Sequence, residues 1–161
     1  MKQIRKTEAG ELPAVLEVYA EARELMRESG NPGQWGDAYP PRELIESDIR
    51  AGKSYVCVEN GEIAAVFYFA VERDPTYKRI DGEWLNDAAY GVVHRVARRR
   101  GAKGVGVFCV DWCFGQCGNI RIDTHRDNAP MRRLLAKLGF AYCGVIRLRD
   151  GDERLAFQKI L

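Results

Sequence analysis

The sequence predicts an α+β fold in which a mixed, mostly antiparallel sheet of about six to seven strands is flanked by about four helices. Some segments repeat apolar residues at helical spacing, whereas others alternate apolar and polar residues as strands do. Two dipeptides, Asn60-Gly61 and Asp150-Gly151, each separate two strand-like runs and favour hairpin turns. Between them, residues 90–140 indicate a strand, a glycine-rich loop, a helix, a strand and a helix.

The first part of the chain contains two helices and three strands. Ile4 lies in a short first strand, and apolar residues then recur at helical spacing over residues 12–26. A polar, glycine-rich loop over residues 30–41 ends that helix and contains Trp35. Residues 43–51 form a second, short helix with one apolar side. Residues 55–59 and 62–71 are the two strands of the first hairpin.

The second part of the chain begins with residues 74–87, which we interpret as a loop or a frayed strand connection. A central strand over residues 90–97 follows and carries His94. After a strand over residues 120–124, Asn128 can cap a helix that Pro130 begins and Gly139 ends. Residues 141–148 and 154–160 form the closing hairpin.

A glycine-rich loop in the middle of the chain is suited to binding an anion. Three consecutive arginines precede it, and an apolar helix over residues 107–114 follows it. The loop contains Gly101, Lys103, Gly104, Val105 and Gly106. Glycine has no Cβ, so backbone N–H groups can approach a ligand closely, and the first N–H groups of a helix have no intrahelical partner. The loop therefore predicts a pyrophosphate site.

This arrangement resembles the GCN5-related N-acetyltransferase (GNAT) superfamily. In that superfamily the pyrophosphate loop has Arg or Gln, two residues, Gly, one residue, and then Gly or Ala, and a later helix opens with Asn and closes with Gly-Phe. Gly104 and Gly106 match the loop, and Asn128, Gly139 and Phe140 match the helix. The resemblance covers nearly the whole chain, and it implies one acetyltransferase-like domain over residues 1–161.

The resemblance implies direct transfer of an acetyl group from acetyl-CoA to a primary amine while both substrates are bound. It also implies that three features contact the cofactor: the loop's backbone N–H groups, the edge of the preceding strand and the asparagine that opens the later helix. The residues concerned are Val96, Ala97, Arg98, Lys103, Gly104, Val105, Gly106, Val107 and Asn128.

Two departures from the superfamily pattern concern the loop and the general acid. Gly101 lies three residues before Gly104, where Arg or Gln is usual, and Arg100 stands one place earlier, which is consistent with one extra residue in the loop. Leu135 stands where the superfamily often has a tyrosine that acts as general acid. The second departure leaves another function open, that of a non-catalytic acetyl-CoA-binding sensor or degenerate homologue.

Transfer to an amine requires a base, because an amine with a pKa of about 10 is mostly protonated at neutral pH. His94 is the first candidate, since an unperturbed imidazole has a pKa of about 6.5, and in the superfamily this strand often supplies the base. Its rivals are Asp123, Glu83 and Asp87. For the general acid, the sequence offers only Tyr142, Cys143 or water. His125, the other histidine, is a candidate for a ligand contact or for a turn cap.

The acceptor is a small-molecule or peptidic amine whose identity the sequence leaves open. The candidates for lining an amphipathic pocket for it are Trp35, Tyr77, Trp84 and Tyr90, and the candidates for attracting a cationic amine are Glu72, Asp74, Glu83 and Asp87. A homodimer formed through the sheet edge is also left open.

Composition excludes several classes of protein. With 161 residues, 46% of them hydrophobic and 30% charged, the chain is expected to form one globular domain. A net charge of +2 does not indicate a nucleic-acid partner, although the arginine run makes a local positive field. The sequence shows neither an export signal nor a long apolar run, so we expect a cytoplasmic protein without a membrane partner. Five cysteines are then expected to be reduced core thiols, and no metal is expected although Cys109, Cys113 and Cys117 share one helical face.

Overall fold

A computed structural model describes residues 1–161. Four α-helices and eight strands follow one another along the chain, with short 3₁₀ turns at residues 9–11 and 75–77. In chain order the elements are β1 (Lys2–Lys6), α1 (Leu12–Glu28), α2 (Arg42–Arg50), β2 (Ser54–Glu59), β3 (Glu62–Val71), β4 (Asp81–Gly82), β5 (Gly91–Arg98), α3 (Val105–Gln116), β6 (Asn119–Thr124), α4 (Ala129–Lys137), β7 (Ala141–Arg147) and β8 (Glu153–Ile160). None of the helices combines the length and the apolar character needed to cross a membrane.

All eight strands form one sheet in the order β1-β2-β3-β5-β6-β8-β7-β4. Only the pair β5 and β6 is parallel, so the mixed, mostly antiparallel sheet expected from the sequence is confirmed. The sheet has one strand more than expected, because the two-residue β4 pairs with β7 at its edge. Gly82 and Gly144 make that pairing possible, since a Cβ on Gly82 would lie 2.1 Å from the carbonyl oxygen of Cys143.

Helices cover both faces of the sheet. α1 and α2 pack on one face against Val56 and Val66, and α3 and α4 pack on the other face against Cys57 and Phe67. Successive residues of a strand point to opposite faces, which explains why neighbouring positions serve different cores. A smaller third cluster holds the segment between β3 and β5 against the sheet through Tyr77.

An opening in the sheet lies beside the middle of β5. The parallel pairing of β5 with β6 ends at Val92 and Arg121, so the two strands separate beyond that point. On its other side β5 contains a bulge, because Tyr68 pairs with His94 but Val66 pairs with Ala97. Within the bulge the backbone φ of Arg95 is 52°, a left-handed conformation that is uncommon for a residue other than glycine. The edge of β5 that faces the gap is therefore not paired with β6.

Candidate active site

A cavity of about 660 Å³, which we call the α3 cavity, lies at the gap between β5 and the start of α3. All nine residues that the resemblance assigned to cofactor contacts line it. They are Val96, Ala97, Arg98, Lys103, Gly104, Val105, Gly106, Val107 and Asn128. Apolar side chains from α1 and α4, among them Met26 and Leu134, complete the wall.

The N-terminus of α3 presents unpaired backbone N–H groups to this cavity. Gly104 caps the helix with φ at 69°, and a side chain at that position would point into open space. The first intrahelical hydrogen bond runs from the Phe108 N–H to the Gly104 carbonyl at 3.2 Å. The N–H groups of Val105, Gly106 and Val107 come before that bond, and such groups together with the helix dipole attract anions. The α3 cavity thus has the donor set that a pyrophosphate requires.

Fewer positively charged side chains face the α3 cavity than the three consecutive arginines suggest. Arg99 forms an ion pair with Glu21 at 2.8 Å, and Arg100 forms one with Glu28 at 2.6 Å. Both side chains therefore attach the loop to α1. Of the four basic residues Arg98, Arg99, Arg100 and Lys103, only Arg98 and Lys103 line the α3 cavity.

A second cavity, of about 540 Å³, adjoins the first, and we call it the His94 cavity. Met26, Val96, Asn128 and Met131 line both cavities. Asn128 joins them structurally, because its Oδ1 accepts the N–H of Met131 at the start of α4 and its Nδ2 donates to Gln34 Oε1 at 2.9 Å. A ligand in either cavity would therefore lie next to a ligand in the other.

His94 lies in the second cavity between two carboxylates. Its Nε2 is 2.7 Å from Asp74 Oδ2, and its Nδ1 is 3.9 Å from Asp123 Oδ2. The second distance is too long for a hydrogen bond. The imidazole is 22% exposed and the carboxylates are 12% and 13% exposed, so all three groups remain accessible from the cavity.

Asp74 determines which nitrogen of His94 carries a hydrogen. Burial alone would raise the pKa of Asp74, but hydrogen bonds from His94 and Thr76 bring it down to about 2. At neutral pH the group is therefore a carboxylate, which can only accept hydrogen bonds. Nε2 must then be the donor, and in the neutral imidazole Nδ1 has the free lone pair. The Tyr90 hydroxyl accepts the Asp74 N–H at 2.9 Å and fixes the loop that carries this carboxylate.

The side chain of Asp123 is held in place by Tyr77, which lies three residues after Asp74 in the segment between β3 and β4. The Tyr77 hydroxyl donates to Asp123 Oδ2 at 2.7 Å. Burial, together with the charge of Asp123, raises the pKa of Tyr77 well above its ordinary value, so the phenol keeps its proton. The space between Asp123 Oδ2 and His94 Nδ1 thus has an acceptor on each side, which suits an incoming N–H group.

Of the residues that the sequence suggests for the acceptor pocket or as general acid, some line the His94 cavity and others do not. Trp35 lines the His94 cavity. Trp84 and Tyr90 line neither cavity, and their rings enclose the Arg121 guanidinium at 4.2 and 4.0 Å, so the structure gives no support for their place in the acceptor pocket. Tyr142 is 59% exposed, packs on Phe157 and also lies outside both cavities, so the structure gives no support for its role as general acid.

The rival candidates for the general base also differ in whether they line the His94 cavity. Asp123 lines the His94 cavity, whereas Glu83 and Asp87 are exposed outside it. His125 accepts the Asp127 N–H at 3.0 Å, which is the turn-capping alternative. Leu135 is fully buried in the core, and no group of three or more His, Cys, Asp or Glu side chains is placed to hold a metal ion.

The sequence gives no indication that Arg154 belongs to the site, and it offers Asp74 and Tyr77 only as general candidates for the acceptor pocket, without the contacts that the structure shows. Asp74 precedes Pro75 and Thr76, and its side chain accepts the Thr76 N–H, so a turn signal was present. No local signal indicates that this turn folds over β5, 20 residues away.

The chain is similar to several solved structures. It is 33% identical to a GNAT-family acetyltransferase from Streptococcus agalactiae, with a TM-score of 0.89 over 99% of this chain and 95% of that one. A GNAT-family acetyltransferase from Listeria monocytogenes has a TM-score of 0.74 at 17% identity, over 99% and 95% of the two chains. A Salmonella typhimurium protein, whose structure includes its cofactor acetyl-CoA, has a TM-score of 0.65 at 18% identity, over 99% and 94%. The last two show only a shared fold. No family model and no curated protein matches the sequence.

Proposed function

Since the chain belongs to the GNAT family of acetyltransferases, we propose that it transfers an acetyl group from acetyl-CoA directly to a primary amine while both substrates are bound. The observation that carries the proposal is the adjacency of the two cavities. One has an anion-binding helix N-terminus, and the other has a histidine held between two carboxylates. The four residues that line both cavities mark the place where the two substrates would meet.

Acetyl-CoA fits the α3 cavity by charge and by shape. The unpaired N–H groups at the start of α3, with Arg98 and Lys103 beside them, would hold the pyrophosphate. The unpaired edge of β5, at Val96 and Ala97, would hold the amide-containing arm, because an extended ligand can pair with an exposed strand edge. The cofactor would supply the acetyl group as a thioester.

His94 would act as general base through Nδ1. The amine arrives mostly as an ammonium ion, and a positioned base that removes its proton typically contributes about 10²- to 10⁴-fold to the rate. Asp74 would hold the imidazole with Nε2 as the donor, and Asp123 would orient the ammonium group opposite Nδ1. The amine nitrogen then forms a bond to the acetyl carbonyl carbon, and the carbon–sulfur bond breaks with its electron pair on sulfur.

The buried Leu135 bears on the departing thiolate. No side chain reaches the cavity from that position, so the protein would not protonate the sulfur there. A thiol with a pKa of about 8.5 can leave as a thiolate and take a proton from water. Leu135 also favours the second candidate function, a protein that binds acetyl-CoA without turnover.

Two measurements test the proposal and separate these functions. Calorimetry with acetyl-CoA, CoA and ADP measures whether the α3 cavity binds the cofactor, and we expect affinity in the micromolar range, on the order of −8 kcal/mol. Thiol release in the presence of a panel of primary amines then measures transfer. Binding with turnover supports the enzyme, binding without turnover with any amine supports the sensor, and absence of binding excludes both.

The cellular location belongs to the same proposal. All five cysteines are free, and four of them are buried. Thiols persist in the reducing cytoplasm. The free thiols support the cytoplasmic location expected from the sequence.

A further inference from the structure

The His94 cavity contains a buried arginine that has no carboxylate partner. Arg154 is 6% exposed and lines the cavity, yet none of the ion pairs in the structure includes it. Its two hydrogen bonds both go to backbone carbonyls, from Nη1 to Glu153 at 2.9 Å and from Nη2 to Gln34 at 3.3 Å. The guanidinium therefore keeps N–H donors for a further acceptor.

Two other arginines with little exposed surface, Arg95 and Arg121, show how unusual this environment is. Arg95, on the same cavity wall, makes a two-pronged ion pair with Asp48 at 3.0 Å. Arg121 has no carboxylate partner either, but it lies between two aromatic rings and lines neither of the two cavities. An arginine is always charged, and burying that charge is costly unless an anion accompanies it. Asp150 and Asp152 line the rim of the cavity, but neither comes within 4 Å of Arg154 as an ion pair.

Arg154 lies at a defined place relative to the proposed base. Asp123 on β6 pairs with Ala156 on β8, so Arg154, two residues before Ala156, points to the same face of the sheet as Asp123. Such diagonal neighbours have Cα atoms about 7–8 Å apart. The cavity thus presents carboxylates and an imidazole at one place and an unpaired guanidinium at another, a short distance away. This is the charge pattern complementary to a small zwitterion.

We propose that the acceptor is a small amine that also carries a carboxylate, that is, a free amino acid. Arg154 binds the carboxylate with its planar fork of N–H donors, and the ammonium group lies between Asp123 and His94. The carboxylate accompanies the buried charge of Arg154 when the acceptor binds. The transfer step rests on the proposed function, whereas the carboxylate site does not.

Matched ligands and variants test this assignment. The ligands are the common L-amino acids, β-alanine and 4-aminobutyrate, each compared with its carboxamide, which keeps the amine and removes the negative charge. The variants are Arg154→Met, Arg154→Lys and the charge control Arg149→Met. Arg149 is exposed and lines neither cavity. Calorimetry on the protein saturated with CoA measures acceptor binding, thiol release measures transfer, and acetyl-CoA affinity reports that each variant is folded.

We expect wild type and Arg149→Met to prefer at least one acid over its carboxamide by about 10- to 100-fold, in affinity or in kcat/KM. Arg154→Met should reduce that ratio to about one with unchanged acetyl-CoA affinity, and Arg154→Lys should retain part of it. If Arg154→Met fails to fold, the ratio in Arg154→Lys decides.

An equal response to acid and carboxamide in wild type, binding of neither, or an unchanged ratio in the folded Arg154 variant would overturn the carboxylate site. Acid-selective binding without transfer would instead refute the proposed acetyl transfer and support the carboxylate site.

Discussion

His94 Nε2 lies 2.7 Å from Asp74 Oδ2, although the two residues belong to a central strand and to a loop 20 residues earlier in the chain. Because Asp74 is ionised at neutral pH, this bond leaves Nδ1 as the nitrogen that can accept a proton. This single hydrogen bond therefore makes Nε2 a donor and leaves Nδ1 free to act as a base.

Asp74→Asn should lower kcat by about 100-fold, since an amide can pair with either tautomer of His94 and no longer selects the reactive one. The affinity for acetyl-CoA should not change, because Asp74 does not line the α3 cavity. Steady-state kinetics and calorimetry measure the two quantities. Asp87→Asn is the matched control, since Asp87 is exposed outside both cavities. Equal kcat values for the two variants would contradict the role of Asp74.

The low pKa of Asp74 also predicts how stability depends on pH. Its pKa of about 2 in the folded protein lies below the ordinary 3.8, so its contribution is fully present above pH 3.8 and is lost as the pH falls toward 2. The contribution is about 2 kcal/mol of the free energy of unfolding. Urea denaturation from pH 7 to pH 3 should show wild type losing more stability than Asp74→Asn. Equal losses of stability in the two proteins would show that folding does not lower the pKa of Asp74.

His94→Gln should lower kcat far more than it changes the affinity for acetyl-CoA, since the side chain lines only the His94 cavity. Gln can still form hydrogen bonds, but it cannot take a proton from the amine. Steady-state kinetics and calorimetry measure kcat and the affinity for acetyl-CoA. A kcat close to that of wild type would transfer the role of base to Asp123 or to water.

Gly106→Asp should weaken acetyl-CoA binding by at least about 100-fold. It places a negative charge at the proposed pyrophosphate site, and its Cβ would lie 3.0 Å from Leu134 Cδ2, so the side chain crowds the cavity wall. An acidic residue in the first turn is compatible with the helix itself. Calorimetry measures the affinity, with circular dichroism as the test of folding.

Gly115→Asp is the control for that variant, because Gly115 lies in the last turn of the same helix and a side chain there meets nothing within 4 Å. It adds the same charge to the protein but should bind acetyl-CoA as wild type does. Equal affinities for Gly106→Asp and Gly115→Asp would refute the position of the pyrophosphate.

The parts of the fold that the sequence predicts well are those with local causes. Asn60 and Gly61 both adopt positive φ, 53° and 80°, as the first hairpin turn requires. Asn128 caps α4 through the Met131 N–H, and Gly139 ends that helix region with φ at 82°. The sequence does not predict β4, because a two-residue strand has no periodicity and its partner is 62 positions away in sequence, as Gly82 pairs with Gly144.

The same distinction between local and distant causes applies to the candidate site. The loop residues that line the α3 cavity are contiguous in sequence, and glycines at a helix start have a direct physical meaning. The partners of His94 are not contiguous with it, since Asp74 lies in a segment predicted only as a loop or a frayed connection. The aromatic character of Trp84 and Tyr90 suggests a place in the acceptor pocket, but only the fold shows that Arg121 lies between them.

The ion pair of Arg95 and Asp48 should stabilise the bulge that opens the edge of β5. Arg95 has φ at 52°, its guanidinium donates to both oxygens of Asp48 at 3.0 Å, and it lies 4.7 Å from the centre of the Tyr68 ring. Asp48→Asn leaves a buried guanidinium without its counter-charge, which typically costs about 3–5 kcal/mol of the free energy of unfolding. Urea denaturation should show that loss, and acetyl-CoA affinity should fall with it, because Val96 and Ala97, which line the α3 cavity, come directly after Arg95.

The exposed pair of Arg42 and Glu46, 2.9 Å apart within α2, provides the comparison. Glu46→Gln should cost less than about 1 kcal/mol and leave acetyl-CoA affinity unchanged. In Asp48→Asn combined with Arg95→Gly, the glycine accepts the positive φ and removes the unpaired charge. The double variant should therefore be destabilised by less than the sum of the two single changes. Strict additivity, or a cost for Asp48→Asn as small as that for Glu46→Gln, would show that the pair does not hold the bulge.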